Sequence, residues 1–290
     1  MSETTTAGRN TTAEPGTTAG HGPATAGRRA TVAAGRRTTS ADRLRALGRA
    51  ELVLLARNRS AIFVALLVPL AMVLVMRSTL QRIDLGDTGL TVAGLALTGG
   101  IGMVLMQVVY MNLVSAYVAR REELVLKRLR TGEVTDREIL AGTALPSVAL
   151  ALAQTVLMVL AGTFFFDLGA PKRPELLVLG LLSGMVLLAA LAALTSAMTR
   201  TVQTSQITTM PLFLVSMVGS GLFVPLDVLP DRLASVCELL PVTGVMTLVR
   251  AGWLGGPDGR QLLGAGLAAL AWTVLAVFAV QRWFRWEPRR

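Results

Sequence analysis

The sequence contains one cysteine, Cys237, and one histidine, His21, in 290 residues. A lone cysteine forms no intrachain disulfide, and a Cys/His metal site needs several such ligands, so both are excluded. Lysine is nearly absent too: Lys127 and Lys172 stand against 26 arginines. That bias suggests GC-rich coding and a bacterial source. Neither lysine follows a glycine, so the Gly-Lys pair of a phosphate-binding loop is missing, and any nucleotide-driven step belongs to another chain. The amino terminus lacks the apolar stretch and small-residue cleavage site of a secretory signal, so the first span is expected to direct insertion.

What the chain does have is apolar length. Hydrophobic residues make up 52% of it and charged residues only 16%, and the charges fall between apolar blocks. Charge-free intervals run from Arg59 to Arg77, Asp87 to Arg120, Glu138 to Asp167, Glu175 to Arg200, Arg200 to Asp227 and Arg260 to Arg282. Blocks of about 18 or more uncharged residues read as membrane spans. The expected fold is therefore an all-α membrane protein with six transmembrane helices, at about 60–78, 90–119, 138–166, 176–199, 203–224 and 262–281. The second interval is too long for one perpendicular helix, so it tilts or extends beyond the bilayer, and Gly99, Gly100 and Gly102 invite a kink or close packing. Because no interval holds an ionisable residue, the relays of ion-coupled carriers are missing. Acid–base catalysis has no placed histidine, so no catalytic, cofactor or metal residue is expected.

The net charge of +10 does not mark a nucleic-acid face, because 21 of the 28 basic residues flank alternate ends of the spans. This positive-inside pattern puts both termini in the cytoplasm. Residues 1–40, rich in Thr, Gly, Ala and Arg, read as a disordered tail. Over residues 41–58, Leu44, Leu47, Leu52, Leu54 and Leu55 share one helical arc while Arg43, Arg45, Arg49 and Arg57 fall mostly on the other, an amphipathic surface helix. Residues 286–290 form a cytoplasmic carboxyl terminus. Between spans five and six, Leu239–Val249 is too short to cross a bilayer and carries Pro241 and Gly244, which predicts re-entrant helices on the outer face.

Two motifs go further. After the second span the chain reads Arg120-Arg-Glu-Glu-Leu-Val-Leu-Lys-Arg-Leu-Arg-Thr-Gly-Glu-Val, then Arg137-Glu-Ile-Leu-Ala-Gly142. Later come Gly221-Leu-Phe-Val-Pro-Leu-Asp-Val-Leu-Pro230, Leu240-Pro241 and Leu248-Val-Arg250. In this order, on opposite faces, they resemble ABC-2 type exporter permeases over residues 41–285, most closely the daunorubicin and multidrug-resistance type. Family members often have Gly where Leu124 stands and Thr-Pro-Leu in place of Thr131-Gly132-Glu133.

The resemblance implies a plasma-membrane permease that pairs with a second, identical or different, copy and docks two ABC ATPase subunits, which bind the ATP. It makes Glu122, Glu123, Leu126, Lys127, Arg128 and Leu129 a short coupling helix on the ATPase, and residues 41–58 a connecting helix. Leu126 and Leu129, at i and i+3, would enter a groove on the ATPase while the charges set orientation. Phe223, Pro225, Pro230, Pro241 and Arg250 would form an extracellular gate. The cargo expected of an uncharged bundle is a hydrophobic or amphipathic compound such as a drug or antibiotic, in contact with membrane lipid. A lipid-linked glycan is the alternative cargo, and a non-transporting scaffold or sensor is the rival of another class.

Other features have a plainer reading beside the functional one. Gln107, Asn112, Gln154, Ser183, Thr195, Gln203 and Gln206 serve interhelical hydrogen bonds or line a substrate path. Phe164, Phe165 and Phe166 suit packing or the membrane interface. Gly180-x-x-x-Gly184 permits close packing against a helix the sequence does not identify.

Overall fold

The computed structural model describes residues 92–124, 135–165, 168–222, 230–256 and 258–284, together with Leu67, Ala71 and Val75. The expected tail, the connecting helix and nearly all of the first span lie outside these residues. The described residues are helical, with no strand among them. In chain order the helices are α1 (Val92–Val104), a π-helical segment (Leu105–Met111), α2 (Asn112–Glu122), α3 (Asp136–Phe165), α4 (Pro174–Met198), α5 (Val202–Gly219), α6 (Asp231–Glu238), α7 (Thr243–Leu254) and α8 (Gly259–Trp283).

Local chemistry sets four of the helix starts. Thr135 and Glu138 form a reciprocal cap on α3: Glu138 Oε2 accepts from the Thr135 amide at 2.8 Å and from its hydroxyl at 3.0 Å, and the Glu138 amide donates to Thr135 Oγ1 at 3.4 Å. Pro174 opens α4, where its missing N–H costs nothing, and Glu175 complements the helix dipole. Thr201 and Thr204 form the capping box of α5. The Asp258 carboxylate caps α8 by accepting from the Gln261 amide at 2.9 Å.

Four helical stretches are long and apolar enough to cross a membrane: Val92–Glu122, Asp136–Phe164, Pro174–Met198 and Gly259–Trp283. They match four of the expected spans to within a few residues. A fifth arises only if Arg232–Glu238 and Thr243–Leu254, bent by 96° across their break, count as one. Helix α5, expected as a span over 203–224, is shorter and stops at Gly219. Gln203 and Gln206, with the hydroxyls of Thr204, Ser205, Thr208 and Thr209, make its first half too polar for that set.

The Val92–Glu122 stretch is the most enclosed of the four, 78% buried, and α8 the least, at 22%. Its glycines serve packing: Gly94 to Gly102 is buried throughout. A Cβ on Gly102 would lie 2.7 Å from Met246 Sδ of α7. Just beyond, the backbone passes into the π segment, an irregularity that re-aims the residues after it.

Helix α4 packs on α7, α8, α2 and the π segment. The Gly180-x-x-x-Gly184 pair faces α7 of the same chain. A Cβ at Gly180 would lie 2.9 Å from the Val249 backbone nitrogen, and one at Gly184 would lie 2.7 Å from Val245 Cγ1. This seam is therefore internal to the subunit, bringing two backbones together as small residues do in membranes. The outward rows Val178, Leu179, Leu182 and Val186 of α4, and Leu263, Leu267, Leu270, Val274 and Phe278 of α8, are exposed, and hydrocarbon suits them where water does not.

Candidate functional site

One end of the bundle gathers the close of α2, the start of α3, the turn from α4 to α5 and the close of α8. Arg121, the penultimate residue of α2, ties that helix to the end of α4. Its side chain is only 1% exposed, yet it sits beside Glu122 and Glu123, which are open to solvent. Arg121 Nη1 donates to the Ser196 carbonyl at 2.8 Å, and Nη2 donates to the Thr199 carbonyl. These carbonyls belong to the end of α4, where the dipole is negative; the Ser196 carbonyl also accepts the Thr199 amide at 3.1 Å, and the guanidinium fork adds a charged donor to each.

Around this anchor the contacts are polar at the edge and aromatic within. Arg120 Nη1 donates to Thr143 Oγ1 of α3 at 3.3 Å, and the Tyr117 hydroxyl donates to the Leu140 carbonyl at 3.0 Å. Tyr117 meets Phe284 edge-on at 6.3 Å between centroids, which draws in the end of α8. Hydroxyl pairs join the remaining helices: Tyr110 with Thr195 at 3.1 Å, Ser115 with Ser205 at 2.8 Å and Thr199 with Thr208 at 2.8 Å.

Of the expected coupling residues, Glu122 and Glu123 close α2, while Leu126, Lys127, Arg128 and Leu129 lie outside the described residues. Leu124 begins the exit and has φ +58°, a left-handed conformation that glycine adopts freely and leucine does not. The Glu123 amide donates to Ala119 O at 3.0 Å and the Leu124 amide to Arg121 O at 3.1 Å, so the strained residue ends the helix as a Gly C-cap would. Leu124→Gly is expected to stabilise the protein by about 0.5–1 kcal/mol, since relief of left-handed strain exceeds glycine's extra chain entropy. Thermal unfolding of the purified variant in detergent checks this.

At the other end, α6 and α7 form a bent pair. Pro230 is exposed as the N-cap of α6, Pro241 is buried in the turn between the helices, and half-buried Arg250 lies on α7. Phe223 and Pro225 lie outside the described residues. Arg250 Nη2 donates to the Gly221 carbonyl, and Gly221 has φ +70°. The turn is pinned twice more: Trp272 Nε1 of α8 donates to the Leu239 carbonyl at 2.9 Å, and Thr243 Oγ1 donates to the Cys237 carbonyl at 2.6 Å. Gly184, opposite Val245, is ten residues into α4, so α7 starts about 15 Å inward from that helix's first residue at 1.5 Å per residue.

The polar residues singled out from sequence divide into four groups. Thr195 makes an interhelical bond, whereas the Ser183 hydroxyl donates to Gly180 O of its own helix at 3.1 Å. Gln154 is buried at 1% exposure. Gln107, Asn112, Gln203 and Gln206 are all exposed, on the two helical stretches that the Ser115–Ser205 bond joins. Arg121 is not among the residues that the sequence singles out; its only signal is its place at a helix end, one residue after Arg120.

The family model for the ABC-2 type transporter matches residues 42–254, roughly three-quarters of the chain, and its span includes both motif regions and the bent pair. No curated protein matches the sequence. With that match and its several membrane-length apolar helices, the chain belongs to the ABC-2 type transporter family, as a multi-pass transport permease.

Proposed function

We propose that this permease is the membrane subunit of a bacterial plasma-membrane exporter that moves a hydrophobic or amphipathic compound, such as a drug or antibiotic, outward. Two ATPase subunits supply the energy, and a second permease copy completes the path. The end of the bundle gathered at Arg121 faces the cytoplasm in this reading, and the bent pair α6–α7 dips inward from the opposite face as the gate. The observation that carries the proposal is the position of Arg121. It immediately precedes the coupling segment and donates to two carbonyls at the end of α4, so displacement of residues 122–134 by the ATPase would pull directly on that helix.

A second feature supports the same reading. Four side-chain amides, Gln107, Asn112, Gln203 and Gln206, lie exposed on the Val92–Glu122 stretch and on α5, which packs beside it. In hydrocarbon such groups are costly, so this face suits a second copy and the cargo path between the copies.

The test is co-purification of the permease with an ABC ATPase subunit. Leu126→Asp combined with Leu129→Asp is expected to abolish ATPase association while membrane insertion is unchanged, because two carboxylates cannot enter an apolar groove. ATPase recovery at wild-type yield from the double variant would contradict the docking assignment.

A further inference from the structure

Near the Arg121 end, helices α3 and α8 flank a cavity of about 410 Å³ without an extended contact between them. Its floor is made of small side chains, Ala190 and Ala193 of α4 with Ala144 of α3, and Val280 of α8 forms a wall. None of these reaches far enough to fill the space. The volume lies within the range of sites for small ligands, and the lining is predominantly apolar, so water has few partners inside.

The mouth is different in character. Asp136 and Arg137 in the first turn of α3 and Gln281 in the last turn of α8 stand around it. These positions mark where two membrane-length helices begin and end, which is the headgroup level of a bilayer. Farther along, α3 exposes Leu152, Val156 and Leu160, and α8 exposes Leu270, Val274 and Phe278. The cavity therefore lies between two helices that carry apolar exposed rows. Its apolar floor suits a hydrocarbon chain, and its mouth offers one anionic and one cationic side chain at successive positions of α3.

We propose that this cavity holds one acyl chain of a zwitterionic, amine-bearing phospholipid, with Arg137 meeting the phosphate and Asp136 the ammonium. Phosphatidylethanolamine has this chemistry. An anionic glycerol headgroup satisfies Arg137 alone and sets its charge against Asp136, so the paired charges select the zwitterion. The proposal rests on the membrane setting that family membership gives, and on neither cargo nor direction of transport.

Full-length permease is reconstituted in phosphatidylglycerol vesicles containing a trace of phosphatidylethanolamine with a diazirine on its acyl chain, then photolysed and mapped by peptide mass spectrometry. Labelling around Ala144 and Ala190–Ala193 is expected to exceed that on the open Leu270–Phe278 face several-fold. It falls to the level of that face in Ala144→Leu/Ala190→Leu, which fills the floor. Asp136→Asn leaves the cavity volume intact and keeps the test valid if the filled variant does not fold; it is expected to reduce labelling to the level given by diazirine phosphatidylglycerol. Cavity labelling no stronger than on the open face, labelling unchanged in a folded filled variant or in Asp136→Asn, or equal labelling by the two lipids overturns the proposal. Failure of the exporter reading shows instead in ATP-driven flux and leaves these outcomes unaffected.

Discussion

Arg121→Met is expected to destabilise the detergent-solubilised permease by about 2–4 kcal/mol, measured by thermal or denaturant unfolding. The guanidinium donates to the carbonyls of Ser196 and Thr199, and a hydrogen bond to a charged group contributes about 1.5–3 kcal/mol. Removing it recovers the cost of burying a cation, which keeps the loss below the sum of two such bonds. Arg121→Lys should fall between wild type and Met, because an ammonium is a point donor that lacks the planar fork needed to reach both carbonyls. If Arg121 only set topology, as an arginine at a span boundary does, Lys would match Arg and Met would change little in unfolding.

Gly252→Ala is expected to cost about 3 kcal/mol, at the upper end of overpacking effects, and to lower the yield of folded protein. The added Cβ would meet the backbone of Leu177, with the Leu177 Cα at 2.7 Å, in the first turns of α4. A flexible side-chain tip yields to such a contact, but backbone held in a helix does not. The neighbouring Arg173 amide donates to Gly252 O at 2.9 Å, so α7 and α4 cannot separate without losing that bond as well. Gly264→Ala in α8 is the matched comparison. Its Cβ would meet nothing within 4 Å. It is expected to leave stability unchanged or raise it by about 0.5–1 kcal/mol through lower chain entropy. A cost at Gly264 equal to that at Gly252 would refute the packing account of the α4–α7 seam.

The limits of the long apolar helices were legible because charged residues bound them. Glu138, Glu175 and Arg260 stand within two residues of the starts of α3, α4 and α8, where caps and dipoles also act. The polar first half of α5 shows in the sequence as Gln203 and Gln206, and it keeps the helix out of the membrane-length set although 203–224 carries no charge. The break after Gly102 was suggested by its glycines, but a π segment needs one extra residue per turn and has no periodic signature. Gly180-x-x-x-Gly184 announced close packing without a partner. That partner, α7, lies some sixty residues later, and sequence spacing carries no information about which helix faces which.

The burial of Arg121 was illegible for a related reason. Arg120-Arg-Glu-Glu reads locally as a hydrated helix end, and the acceptors that make burial favourable lie 75 and 78 residues away. Conversely, the strain at Leu124 has a local trace, since a resembling family often places Gly there. The bent pair was foreshadowed by Pro241 and a short apolar run. The Trp272 and Arg250 bonds that fix it depend on tertiary contacts.

Flux measured in proteoliposomes, with and without the ATPase, tests the central claim most directly. The described membrane-length helices bring no chain of ionisable groups into the bundle, so the permease is expected to move a fluorescent amphiphile only when the ATPase is present and ATP is hydrolysed. Arg121→Lys should lower that flux while leaving ATPase binding intact. Flux through the permease alone, driven by a proton gradient and indifferent to ATP, would contradict the account.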